Sequence, residues 1–198
     1  MFLKRSQWPI FIINLIYLGI AFFVFNSRKN YEFIMYIGVV VFFLLLILFT
    51  NKKVNYPNII LWGLTLWGAM HMAGGGLLLK GEMRLYELIL IPISESYSIF
   101  RYDQLVHIIG FGIATLLMYV LIEPKLKDNC KIGASVGIVV VMAGLGVGAL
   151  NEIIEFLATV VMPETGVGGF INTSMDLVSD LLGSALAYLW VYLRKGKI

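Results

Sequence analysis

Acidic and histidine side chains interrupt the most apolar stretches of this sequence. They occur in three closely spaced groups: Asp103 with His107, Glu152 with Glu155, and Asp176 with Asp180. Spacings of three and four residues place both members of a group on one face of a helix. Because a charge at the centre of a bilayer costs at least about 2.5 kcal/mol, such residues normally face the protein interior and mark a functional site.

Charge balance limits the chemistry that these groups support. All fifteen lysines and arginines fall in loops, tails or the edges of apolar stretches, and carboxylates cannot all stay charged and uncompensated in a low-dielectric site. Three solutions stay open. Carboxylate oxygens and an imidazole would bind a divalent metal ion, the carboxyl groups would share protons, or a loop arginine, Arg84 or Arg101, would fold over them.

The metal hypothesis leads to a defined set of ligands, while the identity of the ion stays open. The predicted ligands are Asp103, His107, Glu152, Glu155, Asp176, Asp180 and His71. If the site is catalytic, Glu152 or Glu155 is the predicted general base.

Some of the polar residues have a simpler interpretation. Asp103 and Asp176 open their predicted helices, where an aspartate often serves as a favourable amino-terminal charge or cap. For His71, polar packing is the alternative to ligation. Three acidic residues at the ends of apolar stretches with lysines nearby are interpreted as solvated charges: Glu32, Glu123 and Asp128.

Composition sets the class of protein that must position these residues. The 198 residues are 60% hydrophobic and only 14% charged, with a mean hydropathy of +0.88, well outside the range of soluble domains. The sequence predicts an all-α fold, a polytopic transmembrane helix bundle, as a single integral membrane domain over residues 1–198. The net charge of +3 is carried by loops and tails, so nucleic-acid binding is not indicated, and the single cysteine, Cys130, excludes an internal disulfide.

About six apolar stretches are long enough to cross the hydrocarbon core. The predicted spans are residues 8–26, 31–50, 59–79, 103–122, 132–158 and 175–193. Between the third and fourth spans, residues 85–100 are apolar but short and contain Pro92, which predicts a re-entrant or interfacial segment. Residues 162–174 are predicted to form a loop, and Gly74–Gly76 predicts a break in the third helix beside a cavity.

Basic residues predict the orientation, because lysine and arginine are retained on the cytoplasmic side during insertion. With the amino terminus inside, the inner segments carry ten of them: Lys4, Arg5, Lys52, Lys53, Lys125, Lys127, Lys131, Arg194, Lys195 and Lys197. We therefore predict a multi-pass protein of the plasma or inner membrane with both termini cytoplasmic. In this orientation the acidic groups lie near the extracytoplasmic ends of their helices.

Three segments carry a resemblance to known proteins: Tyr102–His107, Glu152–Phe156 and Asp176–Gly183. They resemble the signatures of VanZ-like membrane proteins, which are Asp-x-x-x-His, Glu-x-x-Gln-x-Phe and Asp-x-x-x-Asn-x-x-Gly. Glu155 stands where that group has glutamine, and Asp180 where it has asparagine. With these more acidic residues the chain resembles most the YjdF-type family of bacterial inner-membrane proteins, over a VanZ-like core of about residues 100–190.

The resemblance implies a site at the outer leaflet, because VanZ-like proteins are associated with resistance to a glycopeptide antibiotic that acts on outer-face cell-wall precursors. The first hypothesis is a metal-dependent enzyme acting on a lipid-linked or cell-envelope substrate. The alternatives are a cation- or proton-coupled transporter and a non-catalytic membrane scaffold. The expected partners are the lipid bilayer and a lipid-linked substrate, and the sequence leaves the reaction and the oligomeric state open.

Overall fold

The computed structural model describes residues 3–94, 99–126 and 132–198. It contains six α-helices: α1 Trp8–Ser27, α2 Tyr31–Val54, α3 Asn58–Gly76, α4 Tyr102–Ile122, α5 Ala134–Val161 and α6 Phe170–Leu193. Within the described ranges, extended pairing is limited to two isolated bridges, Leu78 with Arg84 and Ile89 with Arg101. The predicted all-α fold is confirmed. Four residues that the sequence assigns to an inner loop lie outside the described residues: Lys127, Asp128, Cys130 and Lys131.

Five of the described helices are long and apolar enough to cross a membrane, and they are α1, α2, α4, α5 and α6. The third predicted span corresponds to α3, a helix of 19 residues. Its glycines, Thr65 and His71 lower its mean hydropathy, and for this reason it is not among the five. The prediction of a polytopic helical membrane protein is confirmed, with six helices and five candidate spans.

The distribution of side chains is that of a protein surrounded by lipid. Large apolar side chains are exposed, including Phe23 at 75% and Val161 at 69% exposure, whereas polar side chains such as Asn14, Thr65 and Ser184 are buried. In lipid there is no hydrophobic drive between helices, so association relies on close packing and on interhelical hydrogen bonds. The buried polar contacts therefore determine how these helices pack.

One predicted helix boundary is wrong by five residues. Helix α6 begins at Phe170 rather than at residue 175, so the preceding loop ends at Gly169 rather than at 174. The proline and glycines of this segment all lie before Phe170, and the Gly169 carbonyl already accepts the Thr173 N–H at 3.2 Å. The polar residues 172–174 lower the local hydropathy without preventing a helix.

The predicted break at Gly74–Gly76 is also wrong, because all three glycines are helical and α3 ends only after Gly76. A Cβ atom on Gly74 would lie 2.6 Å from the Tyr86 ring, and one on Gly75 would overlap the Phe33 ring. These glycines therefore admit aromatic rings against the helix backbone.

The described part of residues 85–100 contains no helix long enough to cross a membrane. Leu85–Glu87 form one 3₁₀ turn, and the chain then runs extended, with the Leu90 N–H donating to the Phe100 carbonyl at 2.9 Å. Ile91 and Ile93 expose more than half of their surface. Such a short apolar segment is typical of an interfacial position.

The chain divides into two compact units. The first consists of Met1–Leu88 and Glu155–Val167, and the second of Ile89–Ile154 and Gly168–Ile198. Helix α5 therefore contributes its first part to the second unit and its last part to the first.

The first unit is built on the packing of α1 against α2 and α3. The Asn14 amide donates to Thr65 Oγ1 at 2.7 Å, and the Asn51 amide donates to Gln7 Oε1 at 2.7 Å. All four side chains are buried. Because the hydrocarbon of the lipid offers no hydrogen-bond partners, these hydrogen bonds between helices satisfy the polar side chains instead.

Glu32, at the start of α2, is buried within the first unit, with 5% of its surface exposed. Its Oε2 accepts the Gly166 N–H at 2.7 Å and lies 3.6 Å from Arg84 Nη1. A side chain at position 166 would overlap the Arg84 guanidinium. The interpretation of Glu32 as a solvated charge is wrong, because packing brings a guanidinium and a backbone donor to it.

The second unit is built on the close packing of α4 against α6. A Cβ on Gly112 would lie 3.2 Å from the Gly183 carbonyl oxygen, and one on Gly183 would overlap the Ile108 carbonyl. Thr115 and Ser184 are hydrogen-bonded across this contact at 2.9 Å. The small residues Gly183 and Ser184 on α6 therefore permit backbone-to-backbone approach.

We expect Gly183→Ala to lower the free energy of unfolding by about 1–3 kcal/mol, because its Cβ meets backbone that cannot rotate away. Gly146→Ala is the matched control, since a Cβ there has nothing within 4 Å. Denaturation of both variants in mixed micelles measures the difference. Equal stability of the two would contradict the close contact between α4 and α6.

We expect Glu32→Ala to lower the free energy of unfolding by about 1–3 kcal/mol, because the Gly166 N–H and the Arg84 guanidinium both lose their buried acceptor. Glu87→Ala, at an exposed acidic residue, should have little effect. The thermal midpoint of each purified variant is the measurement. A destabilisation by Glu87→Ala as large as that by Glu32→Ala would argue against the buried pair.

Candidate functional site

Helices α4, α5 and α6 of the second unit bring together most of the predicted site residues. These are Asp103 and His107 of α4, Glu152 of α5, and Asp176 and Asp180 of α6. Four of them expose less than a tenth of their surface, and Asp103 is half-buried. The polar residues of three helices therefore face one interior region, which we call the acidic cluster.

His107 lies between two carboxylates. Its Nδ1 is 2.8 Å from Asp180 Oδ1, within hydrogen-bonding distance, and its Nε2 is 3.9 Å from Asp103 Oδ1. Because an ionised carboxylate only accepts hydrogen bonds, Asp180 assigns the proton to Nδ1. In neutral histidine this leaves the Nε2 lone pair on the side of Asp103.

Two amide side chains connect the remaining carboxylates. Gln104 donates to Asp176 Oδ1 at 3.4 Å and accepts the Arg101 backbone N–H at 2.6 Å. The Asn172 amide donates to Asp103 Oδ2 at 3.4 Å and to Asp176 Oδ2. Asp103 and Asp176, from different helices, are thereby held next to each other.

Glu152 is the least satisfied member of the acidic cluster. It is 8% exposed, and neither carboxylate oxygen makes a hydrogen bond of normal geometry to the described residues, although Thr173 and Asn151 approach it. Asp180 Oδ2 is likewise buried without a hydrogen bond. A buried carboxylate without a partner costs free energy unless another group compensates it.

A glycine makes room for the deepest carboxylate. A Cβ on Gly148 of α5 would overlap the Asp180 carboxyl group, and Asp180 itself has no exposed surface. The arrangement depends on the close approach of α5 to α6 at this level.

No basic side chain of the described residues forms an ion pair within 4.0 Å with the acidic cluster, apart from the imidazole of His107. Arg84 pairs with Glu32 in the first unit instead. Arg101 precedes α4, and its buried Nε has no hydrogen-bond partner. The predicted arginine cover is therefore wrong for Arg84, whereas Arg101 lies close enough to Asp103 for an electrostatic interaction. A cation, shared protons and Arg101 stay open as the compensating species.

The side chains are close enough to hold one metal ion. A ligand atom from each of Asp103, His107 and Asp176 lies within 4.8 Å of the other two, and a His107 nitrogen and a Glu152 oxygen are separated by no more than 4.8 Å. Carboxylate oxygens with one imidazole form a donor set that suits divalent cations.

Two predicted ligands belong to the first unit, namely Glu155 and His71. The His71 ring stacks on Trp67 with centroids 5.6 Å apart, and its Nδ1 is hydrogen-bonded to the Tyr86 hydroxyl at 2.5 Å. Such aromatic surroundings are typical of a polar packing residue. Ligation by Glu155 or His71 stays a prediction.

Sequence reasoning missed Gln104 and Asn172, which organise the carboxylates. Gln104 directly follows Asp103, and Asn172 precedes Asp176 by four residues, a spacing that places both on one helical face. The four-residue spacing of Asn172 and Asp176 was not recognised as helical because residue 172 was assigned to a loop. The interpretation of Asp176 as a helix cap is wrong for the same reason, since it lies six residues after the helix start at Phe170.

Comparison with known proteins identifies one matching family. No curated protein and no solved structure matches the chain. The model of a family described as a predicted membrane protein (DUF2238) matches residues 8–197, which include all six helices and the whole acidic cluster. This description names a membrane protein only, so the resemblance to VanZ-like and YjdF-type proteins stays a prediction. The chain belongs to the family of predicted membrane proteins DUF2238.

Proposed function

We propose that the protein is a membrane-embedded enzyme that uses a divalent cation, held at the acidic cluster, to act on a lipid-linked or cell-envelope substrate. The observation that carries the proposal is Glu152, which is buried at 8% exposure and whose two carboxylate oxygens make no hydrogen bond of normal geometry to the described residues. An unsatisfied buried carboxylate beside two aspartates and a histidine requires positive charge or protons.

Burial favours the cation over a network of neutral acids alone. A protonated carboxylic acid still carries one donor and needs a hydrogen-bond acceptor. Glu152 makes no normal hydrogen bond in either role among the described residues. A cation bound by the neighbouring ligands would place positive charge beside Glu152 and would compensate several carboxylates at once.

The ligands assigned to the ion are Asp103, Asp176 and His107 through its Nε2. Asp180 supports this assignment because it lies on the opposite ring nitrogen, at 2.8 Å from Nδ1. A carboxylate in this position fixes the tautomer and the orientation of a ligating histidine and increases its basicity. Asp180 is therefore a positioning residue for the metal site.

Glu152 is assigned as the general base, and Glu155 stays the predicted alternative. Glu152 approaches His107 within 4.8 Å, and its oxygens are not committed to other donors. A bound divalent cation would polarise a substrate carbonyl or phosphoryl oxygen and activate water. The carboxylate would accept the proton that the attacking water loses.

The location of the site supports a substrate that is carried by lipid. The acidic cluster lies on helices that are long and apolar enough to span a bilayer, in the first half of α4 and of α6 and in the later part of α5. A lipid-linked substrate would bring its polar headgroup to this level while its chains stay in the hydrocarbon. The excess of basic residues at the other helix ends predicts that this is the extracytoplasmic leaflet.

We expect purified protein equilibrated with Mn²⁺, Zn²⁺ or Mg²⁺ and then desalted to retain one of these ions in stoichiometric amount. Asp176→Asn and His107→Gln should abolish retention, because each removes a ligand while preserving side-chain size. Elemental analysis of the protein in nanodiscs is the measurement.

Glu164→Gln is the control for the loss of one negative charge, since Glu164 is exposed and should not affect retention. Unchanged metal content in both ligand variants, or the lack of metal in the wild type with every ion, would overturn the proposal. Proton sharing and transport would then be the better explanation.

We expect Asp180→Asn to weaken metal affinity about 10–100-fold without abolishing binding, because the loss of a carboxylate partner of a ligating histidine has an effect of this size. Competition with a chelator of known affinity measures the change. Ser179→Ala, one residue earlier, controls for the substitution itself. Complete loss of binding in Asp180→Asn would show that Asp180 is a direct ligand.

A further inference from the structure

An apolar cavity lies at the other end of the second unit from the acidic cluster. Its volume is about 280 Å³, close to the lower end of the range for small-molecule sites. Aliphatic side chains of α4 and α5 line it, including Leu121, Val139 and Ala143. Of the described residues that line the cavity, only Lys125 is charged. An apolar groove with an ammonium group at its edge matches a phospholipid, which combines apolar acyl chains with an anionic phosphate.

Further basic residues lie at this end of the unit. The carboxyl-terminal segment folds back there, because the Tyr119 hydroxyl donates to the Gly196 carbonyl at 3.4 Å, and a Cβ on Gly196 would lie 3.5 Å from the Ile132 side chain. The exposed Arg194, Lys195 and Lys197 belong to this segment.

Lys125 closes the candidate span Tyr102–Lys125 and is exposed. Its ammonium group therefore lies at the depth at which lipid headgroups meet the hydrocarbon, since a lysine at a helix end extends to the interface. Glu123 is an exposed acidic residue in the same turn, so the described charges at this end are basic in sum.

We infer that this cavity binds an anionic phospholipid, with one acyl chain along α4 and α5 and the phosphate at Lys125. The apolar wall provides burial for the chain, and basic residues at the cytoplasmic end of membrane helices attract anionic headgroups. The charge pattern of the sequence predicts that this end faces the cytoplasmic leaflet, where such lipids are read by basic sites. The inference does not depend on the metal site, which shares no residue with the cavity.

Charge complementarity distinguishes this occupant from ordinary surrounding lipid. An apolar groove alone accepts any acyl chain and has no preference between headgroups. A lysine at its edge favours a lipid with net negative charge over one whose phosphate is already balanced by choline.

The test is native mass spectrometry of the full chain released from nanodiscs that contain equal amounts of phosphatidylcholine and phosphatidylglycerol. The wild type should retain phosphatidylglycerol preferentially. Lys125→Gln should reduce this preference about fivefold, because one lysine near an anionic surface contributes a difference of that size. Lys80→Gln, in an exposed turn of the first unit, is the matched control and should keep the preference.

A second variant tests the acyl-chain part separately. Val139→Trp would fill the groove from an exposed position, so it should reduce retention of both lipids, while metal retention and the thermal midpoint stay as in the wild type. Equal retention of the two lipids by the wild type, or an unchanged preference in Lys125→Gln, would overturn the inference. Undiminished lipid retention in Val139→Trp would exclude this cavity as the binding site.

Discussion

The structure of the second unit depends on the burial of several carboxylates around one imidazole, with no lysine or arginine ion-paired to them among the described residues. Asp180 is completely buried and Glu152 nearly so, at a cost that lipid and neighbouring apolar side chains cannot offset. Glycines admit these groups, since a Cβ on Gly148 would overlap the Asp180 carboxyl. The close approach of the helices at Gly148 therefore buries the carboxylates, and this burial creates the need for a compensating positive charge or proton.

The two units compensate buried acid in different ways. In the first, Glu32 receives a guanidinium and a backbone N–H from distant parts of the chain. In the second, an imidazole and amides of Gln104 and Asn172 hold the aspartates. The first arrangement is a complete structural pair, whereas the second leaves buried oxygens of Glu152 and Asp180 without a hydrogen bond to the described residues.

The second unit also separates its charges along the helix axes. The acidic cluster lies in the first half of α4 and α6 and the later part of α5, and basic residues follow the carboxyl ends of α4 and α6. This separation of carboxylates from ammonium groups along the helices is the common basis of the two proposed sites. Apolar side chains that contact lipid cover the length between them.

The sequence by itself determined that the chain is an all-helical membrane protein, where most helices lie and which spaced residues share a helical face, because hydropathy and periodicity are properties of neighbouring residues. Tertiary structure decided which groups meet. It pairs Glu32 with Gly166, 134 residues away, places Asp180 against His107, and starts α6 early enough for Asn172 to reach Asp103. Partners so distant in sequence are set by the packing of helices, and no local pattern encodes them.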